Sequence, residues 1–74
     1  MEKLINILEG IKPGVDFKNE NNLIEDGILD SFDIVTLVSM ISQEYDIEFT
    51  GGEVVPENFK SVESINNVIT KLQD

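Results

Sequence analysis

Cysteine, histidine, tryptophan and arginine are all absent from this chain of 74 residues, and each absence closes off chemistry. Without cysteine there is no disulfide framework and no thiolate metal site, and without histidine a zinc site or a serine–histidine hydrolytic pair has no ligand or base. Positive charge is scarce: five lysines stand against fifteen acids, for a net charge of −10. Nucleic acid and anionic lipid both demand cationic surface, so neither is expected as a partner, while basic proteins are favoured. No apolar run is long enough to span a bilayer, and residues 1–11 lack the basic segment followed by an apolar stretch that marks a secretion signal. These features lead to the expectation of a cytoplasmic protein without membrane insertion. Seventy-four residues support one small core and no enclosed active site for a large substrate.

Hydrophobic residues make up 41% of the chain, enough for a globular fold despite the charge. Met1, Leu4, Leu8 and Ile11 recur at helical spacing, with Ile5 and Ile7 widening the stripe and Glu2, Lys3 and Glu9 turned to water. Pro13 and Gly14 end this first helix. A connection rich in Asn, Asp and Glu then runs from Val15 to Asp30, yet carries Val15, Phe17, Leu23, Ile24, Ile28 and Leu29. Those side chains need burial, so the connection is expected to lie across the helices, packed down by its own residues.

A second helix is expected from Ser31 to about Tyr45, with Ile34, Leu37, Val38, Ile41 and Tyr45 as its buried stripe, Asp30 as N-cap and Asp33 as a favourable charge in the first turn. Between Ile47 and Phe59, Gly51, Gly52 and Pro56 leave room for one short helical turn, expected near Glu53 to Val55, with Ile47, Phe49, Val54 and Phe59 pointing inward. Ser61 should cap a last helix to about Leu72, with Val62, Ile65, Val68, Ile69 and Leu72 as its stripe. The fold expected is all-α: a small four-helix bundle of three main helices plus one short helix, with a long connection between the first two, forming a single domain over residues 1–74. Beginning at Met1 and ending just past the last helix, the chain is expected to be freestanding and monomeric.

Ser31 stands where the loop becomes the second helix, and helix N-termini attract phosphates and other anions. A hydrolytic serine would need a base, and neither a histidine nor a lysine near in sequence supplies one. Taken alone, Ser31 reads as a residue that caps or begins a helix. Glu25, Asp26 and Asp30 do not have the alternating oxygen ligands of a calcium loop.

The surrounding pattern adds to this. Leu23-Ile24-Glu25-Asp26-Gly27-Ile28-Leu29-Asp30-Ser31-Phe32, continued by Asp33-Ile34-Val35-Thr36-Leu37-Val38, by Glu44-Tyr45 and by Pro56-Glu57-Asn58-Phe59-Lys60-Ser61, resembles the acyl carrier proteins and the related peptidyl and D-alanyl carrier proteins over nearly the whole chain. The resemblance implies a carrier and not an enzyme. It implies that Ser31 is esterified by 4′-phosphopantetheine, delivered from coenzyme A by a phosphopantetheinyl transferase, and that Asp30 helps present the serine. The arm would hold an acyl or aminoacyl group as a thioester, so partners would include an acyl- or aminoacyl-activating ligase and a downstream transferase or synthase.

One departure bears on the pathway. Fatty-acid carriers typically display acids along the outward face of the second helix, whereas here that face reads Phe32, Val35, Thr36, Ser39, Ser42 and Gln43, with charge only at Asp33 and Glu44. The remaining acids sit mostly elsewhere, at Asp16, Glu20, Glu25, Asp26, Glu48, Glu53 and Glu57. Docking is therefore expected through Phe32, Asp33, Val35, Thr36 and Ser39, with little salt sensitivity, in a specialised pathway. A D-alanyl or peptidyl type of carrier serving an amino acid ligase is the alternative within the family. Outside it, the alternative is a non-catalytic acidic adaptor that binds a basic protein and carries no prosthetic group.

Overall fold

The computed structural model describes residues 2–73. It is all-helical: α1 (Glu2–Ile11), α2 (Ser31–Tyr45), a short 3-10 helix η1 (Pro56–Phe59) and α3 (Val62–Gln73). The first and last residues, Met1 of the predicted α1 stripe among them, lie outside the described residues.

Each main helix turns a narrow apolar stripe inward. Leu4, Ile7 and Leu8 of α1, Leu37 and Ile41 of α2, and Val62, Ile65, Val68 and Ile69 of α3 are buried. Ile34, Val38 and Tyr45 complete the predicted α2 stripe but are only partly buried. Burying each aliphatic side chain stabilises the fold by about 1.5–3 kcal/mol, so a core this small is sensitive to every member. The helix α1 runs antiparallel to α2, as two ion pairs show: Lys3 near the start of α1 meets Glu44 near the end of α2, and Lys12 just after α1 meets Asp33 near the start of α2. The helix α3 packs on α1 and on η1.

The long connection behaves as a layer of the core. Phe17, Leu23 and Leu29 are each at most 2% exposed, so the loop is laid down on the helices as its composition requires. Its backbone is tied as well: the Leu23 N–H donates to the Lys60 carbonyl at 2.8 Å, and the Leu29 N–H to the Leu23 carbonyl at 2.9 Å. Gly27 closes the intervening turn at φ 74°, a left-handed conformation that glycine adopts without steric cost.

Two expectations for the segment after α2 need correction. The short helix falls at Pro56–Phe59 and not near Glu53 to Val55. Proline cannot supply a mid-helix N–H and forces the preceding residue into the extended region; accordingly Val55 is extended (φ −128°, ψ 150°) and Pro56 opens the helix. Val54, expected inside, is 39% exposed. Phe59 is fully buried, as expected, with the half-buried Phe49 tilted against it at 6.3 Å between ring centroids. At the start of α3, the Ser61 hydroxyl accepts the Ser64 N–H at 3.1 Å, the cap anticipated from sequence.

Candidate functional site at the start of α2

Asp30 leaves the connection in an extended conformation and caps α2. Its Oδ1 accepts the Asp33 N–H at 2.9 Å, while Asp33 Oδ2 accepts the Asp30 N–H at 3.2 Å, so the two aspartates form a reciprocal capping box. The Asp33 N–H holds the Asp30 carboxyl below its ordinary value, with smaller help from the Asp33 side chain and from Lys12, against a desolvation effect that opposes them. Asp33 is the more sheltered of the pair's acids, with its side chain 17% exposed and 3.4 Å from Lys12 Nζ.

Ser31 is the first residue of α2, and it is exposed. Because the cap is made by Asp30 and Asp33, the Ser31 hydroxyl stands outside the capping box, and the explanation of Ser31 as a cap passes to its neighbour. Phe32 is 84% exposed and Val35 68% exposed, so neither packs under the long connection. Thr36 and Ser39 share the outward surface, where the Thr36 hydroxyl donates to the Phe32 carbonyl at 3.1 Å. Ser42 does not belong to it: half-buried, it donates to the Val38 carbonyl at 2.7 Å, and Met40 is exposed instead. No side chain on this surface between Val35 and Gln43 carries charge.

Ser31 also stands at the rim of an open cleft of about 380 Å³, bounded on one side by Ile24, Leu29, Ile34 and Val35 and on the other by Val54, Val55, Pro56 and Phe59. Apart from Asp30 and Ser31, every side chain lining it is apolar. The second wall was not anticipated. The signal for it was the pair of valines immediately before a proline, which could be read as extended and unable to hide both side chains. Lys12 was missed too, because nothing in sequence joins it to a residue twenty-one positions further on.

The chain has parallels among known proteins. The chain is 45% identical over 53 residues to an acyl carrier protein of Buchnera aphidicola, a match spanning 72% of this chain and 65% of that relative. It is 33% identical over 76 aligned positions to aminoacyl carrier protein 1 of Bradyrhizobium diazoefficiens, covering 96% of this chain and 83% of the relative. This chain belongs to the acyl carrier protein family. No family model and no solved structure matches it. As a member of a family of acyl and aminoacyl carriers, it is a carrier protein and not an enzyme.

Proposed function

We propose that the protein carries an acyl or aminoacyl group on a 4′-phosphopantetheine arm attached to Ser31. The observation that carries this reading is the exposed Ser31 hydroxyl, outside the capping box and at the mouth of an apolar cleft. The residues fit the group. A phosphodiester at Ser31 would lie beside the first-turn N–H groups of α2, at the positive end of the helix dipole. Asp30, already held by the Asp33 N–H and kept ionised, would discourage the phosphate from lying back on the cap. Attachment forms a bond from Ser31 Oγ to phosphorus as the pyrophosphate linkage of coenzyme A breaks; the hydroxyl proton passes to a base on the transferase, and the adenosine bisphosphate leaves. The arm supplies a terminal thiol, which this chain lacks, to hold the cargo as a thioester.

Docking of the transferase, of the activating ligase and of the downstream acceptor enzyme is assigned to Phe32, Val35, Thr36 and Ser39, with Asp33 at the edge of the surface. The absence of charge between Val35 and Gln43 supports a specialised pathway over bulk fatty-acid synthesis. A second reading, an aminoacyl carrier serving an amino acid ligase, is favoured by the relative of that name that spans nearly the whole chain.

Incubation with coenzyme A and a promiscuous phosphopantetheinyl transferase, followed by intact-mass measurement, tests the attachment. One arm should be added to the wild type and none to Ser31→Ala. Because Asp30 provides the cap, Ser31→Ala should also leave unfolding free energy within about 0.5 kcal/mol of wild type. A larger loss would return Ser31 to a structural role, and an unmodified wild type would overturn the carrier reading of this site.

A further inference from the structure

The two lysines that α1 and its C-terminal turn contribute reach opposite ends of α2. At the C-terminal end Lys3 Nζ donates to the Glu44 carbonyl at 3.1 Å, pairs with the Glu44 carboxylate at 3.4 Å and lies 4.9 Å from the centre of the Tyr45 ring. A cation there is matched to the negative end of the helix dipole. At the N-terminal end the dipole opposes a cation, so the place of Lys12 needs another cause. That cause is Asp33: Lys12 Nζ sits 3.4 Å from Asp33 Oδ2, the same oxygen that accepts the Asp30 N–H.

The capping box is made of two carboxylates, each holding the other's backbone, with Ser31 and Phe32 between them. One oxygen of this box, Asp33 Oδ2, has a second partner in Lys12, in a pair more sheltered than Lys3–Glu44: the side chains are 42% and 17% exposed, against 53% and 54%. Screening by salt is correspondingly weaker at this end.

We propose that Lys12 is a positioning residue for the modification of Ser31, acting through Asp33 to keep the Asp30–Asp33 box closed and the first turn of α2 fixed as the serine enters the transferase. The proposal rests on the reading of Ser31 as the attachment site. Without Lys12 the Asp33 side chain loses the partner that holds Oδ2 in place against the Asp30 N–H, the box opens part of the time, and the hydroxyl is offered in the attacking geometry less often.

The test measures the rate of arm transfer from coenzyme A to wild type, Lys12→Gln, Lys12→Arg, Lys3→Gln, Asp33→Asn and the double variant Lys12→Gln/Asp33→Asn. Lys12→Gln should slow transfer about three- to tenfold. Lys12→Arg, which keeps the charge, should stay near wild type. Lys3→Gln, which removes the same charge from the other end of α2, should not slow it. The double variant should transfer the arm within about twofold of Asp33→Asn alone, because Lys12 acts through the Asp33 carboxylate and any loss of docking at Asp33 is common to both. Simple loss of stability would instead add to the Asp33→Asn effect. A wild-type rate for Lys12→Gln, equal slowing in Lys3→Gln, or marked further slowing of Asp33→Asn by Lys12→Gln would each overturn the role of Lys12. Failure of the wild type to accept the arm would instead overturn the assignment of Ser31.

Discussion

The two connections that flank α2 both carry aliphatic residues among acids and glycines, yet they use them in opposite ways. The first, between α1 and α2, turns Phe17, Leu23 and Leu29 into the core and ties its backbone to the Lys60 carbonyl beside α3. The second, between α2 and η1, leaves Val54 and Val55 at 39% and 37% exposure, where they form one wall of the cleft at Ser31. Glu53 pins this second segment: its Oε1 accepts the Thr50 N–H at 2.8 Å and the Thr50 hydroxyl at 2.7 Å, while Asn58 donates to its carbonyl at 2.9 Å. The fully buried members of the first connection build the bundle and the Val54–Val55 end of the second shapes the cleft, although Ile47 and Phe49 pack on the core and Ile24 and Leu29 also line the cleft. Composition alone does not separate them, since both contain hydrophobic residues that one would expect to hide.

The largest expected effect breaks that contrast at its strongest point. Leu23 is fully buried, so Leu23→Ala should cost about 2–5 kcal/mol and lower the melting temperature by roughly 10 °C or more. Val54→Ser, at a partly solvated wall, should change stability by only about 0.5 kcal/mol. Thermal unfolding followed by circular dichroism compares the two directly. Similar costs would mean that both connections belong to the core and that the proposed division is wrong.

A smaller effect sharpens the outward half of the comparison. Val35 shares the cleft with the exposed valines, Phe32 stands exposed one turn before it, and the surface of α2 from Val35 to Gln43 is uncharged. Phe32→Ala should weaken binding to the cognate loading enzyme about tenfold, as loss of an aromatic anchor does. Raising salt from about 0.05 to 0.5 M should weaken wild-type binding no more than about threefold, because apolar contact is not screened. A steep salt dependence with little effect of Phe32→Ala would transfer the docking role to the acids of the connections.

The helices could be read directly because their signals are local. Leu37 and Ile41 fall one turn apart, Asp30 precedes an apolar run, and Ser61 stands three residues before the amide that it caps, so spacing identifies them without knowledge of the rest of the chain. The place of Ser31 at the start of α2 was readable for the same reason, whereas its proposed role rests on the resemblance and not on spacing. What escaped was set by non-local contacts. Val54 was expected inside, yet it lines the open cleft while Phe59 and Phe49 pack toward the core. The pairing of Lys12 with Asp33 depends on the antiparallel run of α1 and α2, a relation that no window of sequence contains.

The smallest expected effect concerns how firmly the second connection is held. Hydrogen bonds from the Thr50 side chain, and next from its backbone, keep the Glu53 carboxyl below its ordinary value, with a minor contribution from Lys71. A carboxyl depressed in the folded state stabilises the fold at pH values above its unfolded pKa, and this contribution is lost as pH falls through the lower, folded value. Neutral pH therefore leaves the turn closed, and acidification below the usual carboxylate range, about pH 4, should open it. The Thr50 amide resonance, followed by NMR through an acid titration, should move with Glu53 and should lose that transition in Glu53→Gln, which keeps an acceptor oxygen but no charge. Asp30 obeys the same sign at the other side of the cleft, so the Asp33 amide should report its own transition in the acid range in both proteins. If the Thr50 amide stays flat while the Asp33 amide follows Asp30, the cap of α2 is held by charge and the valine wall is not, and the second connection owes its shape to Pro56 and Asn58 alone.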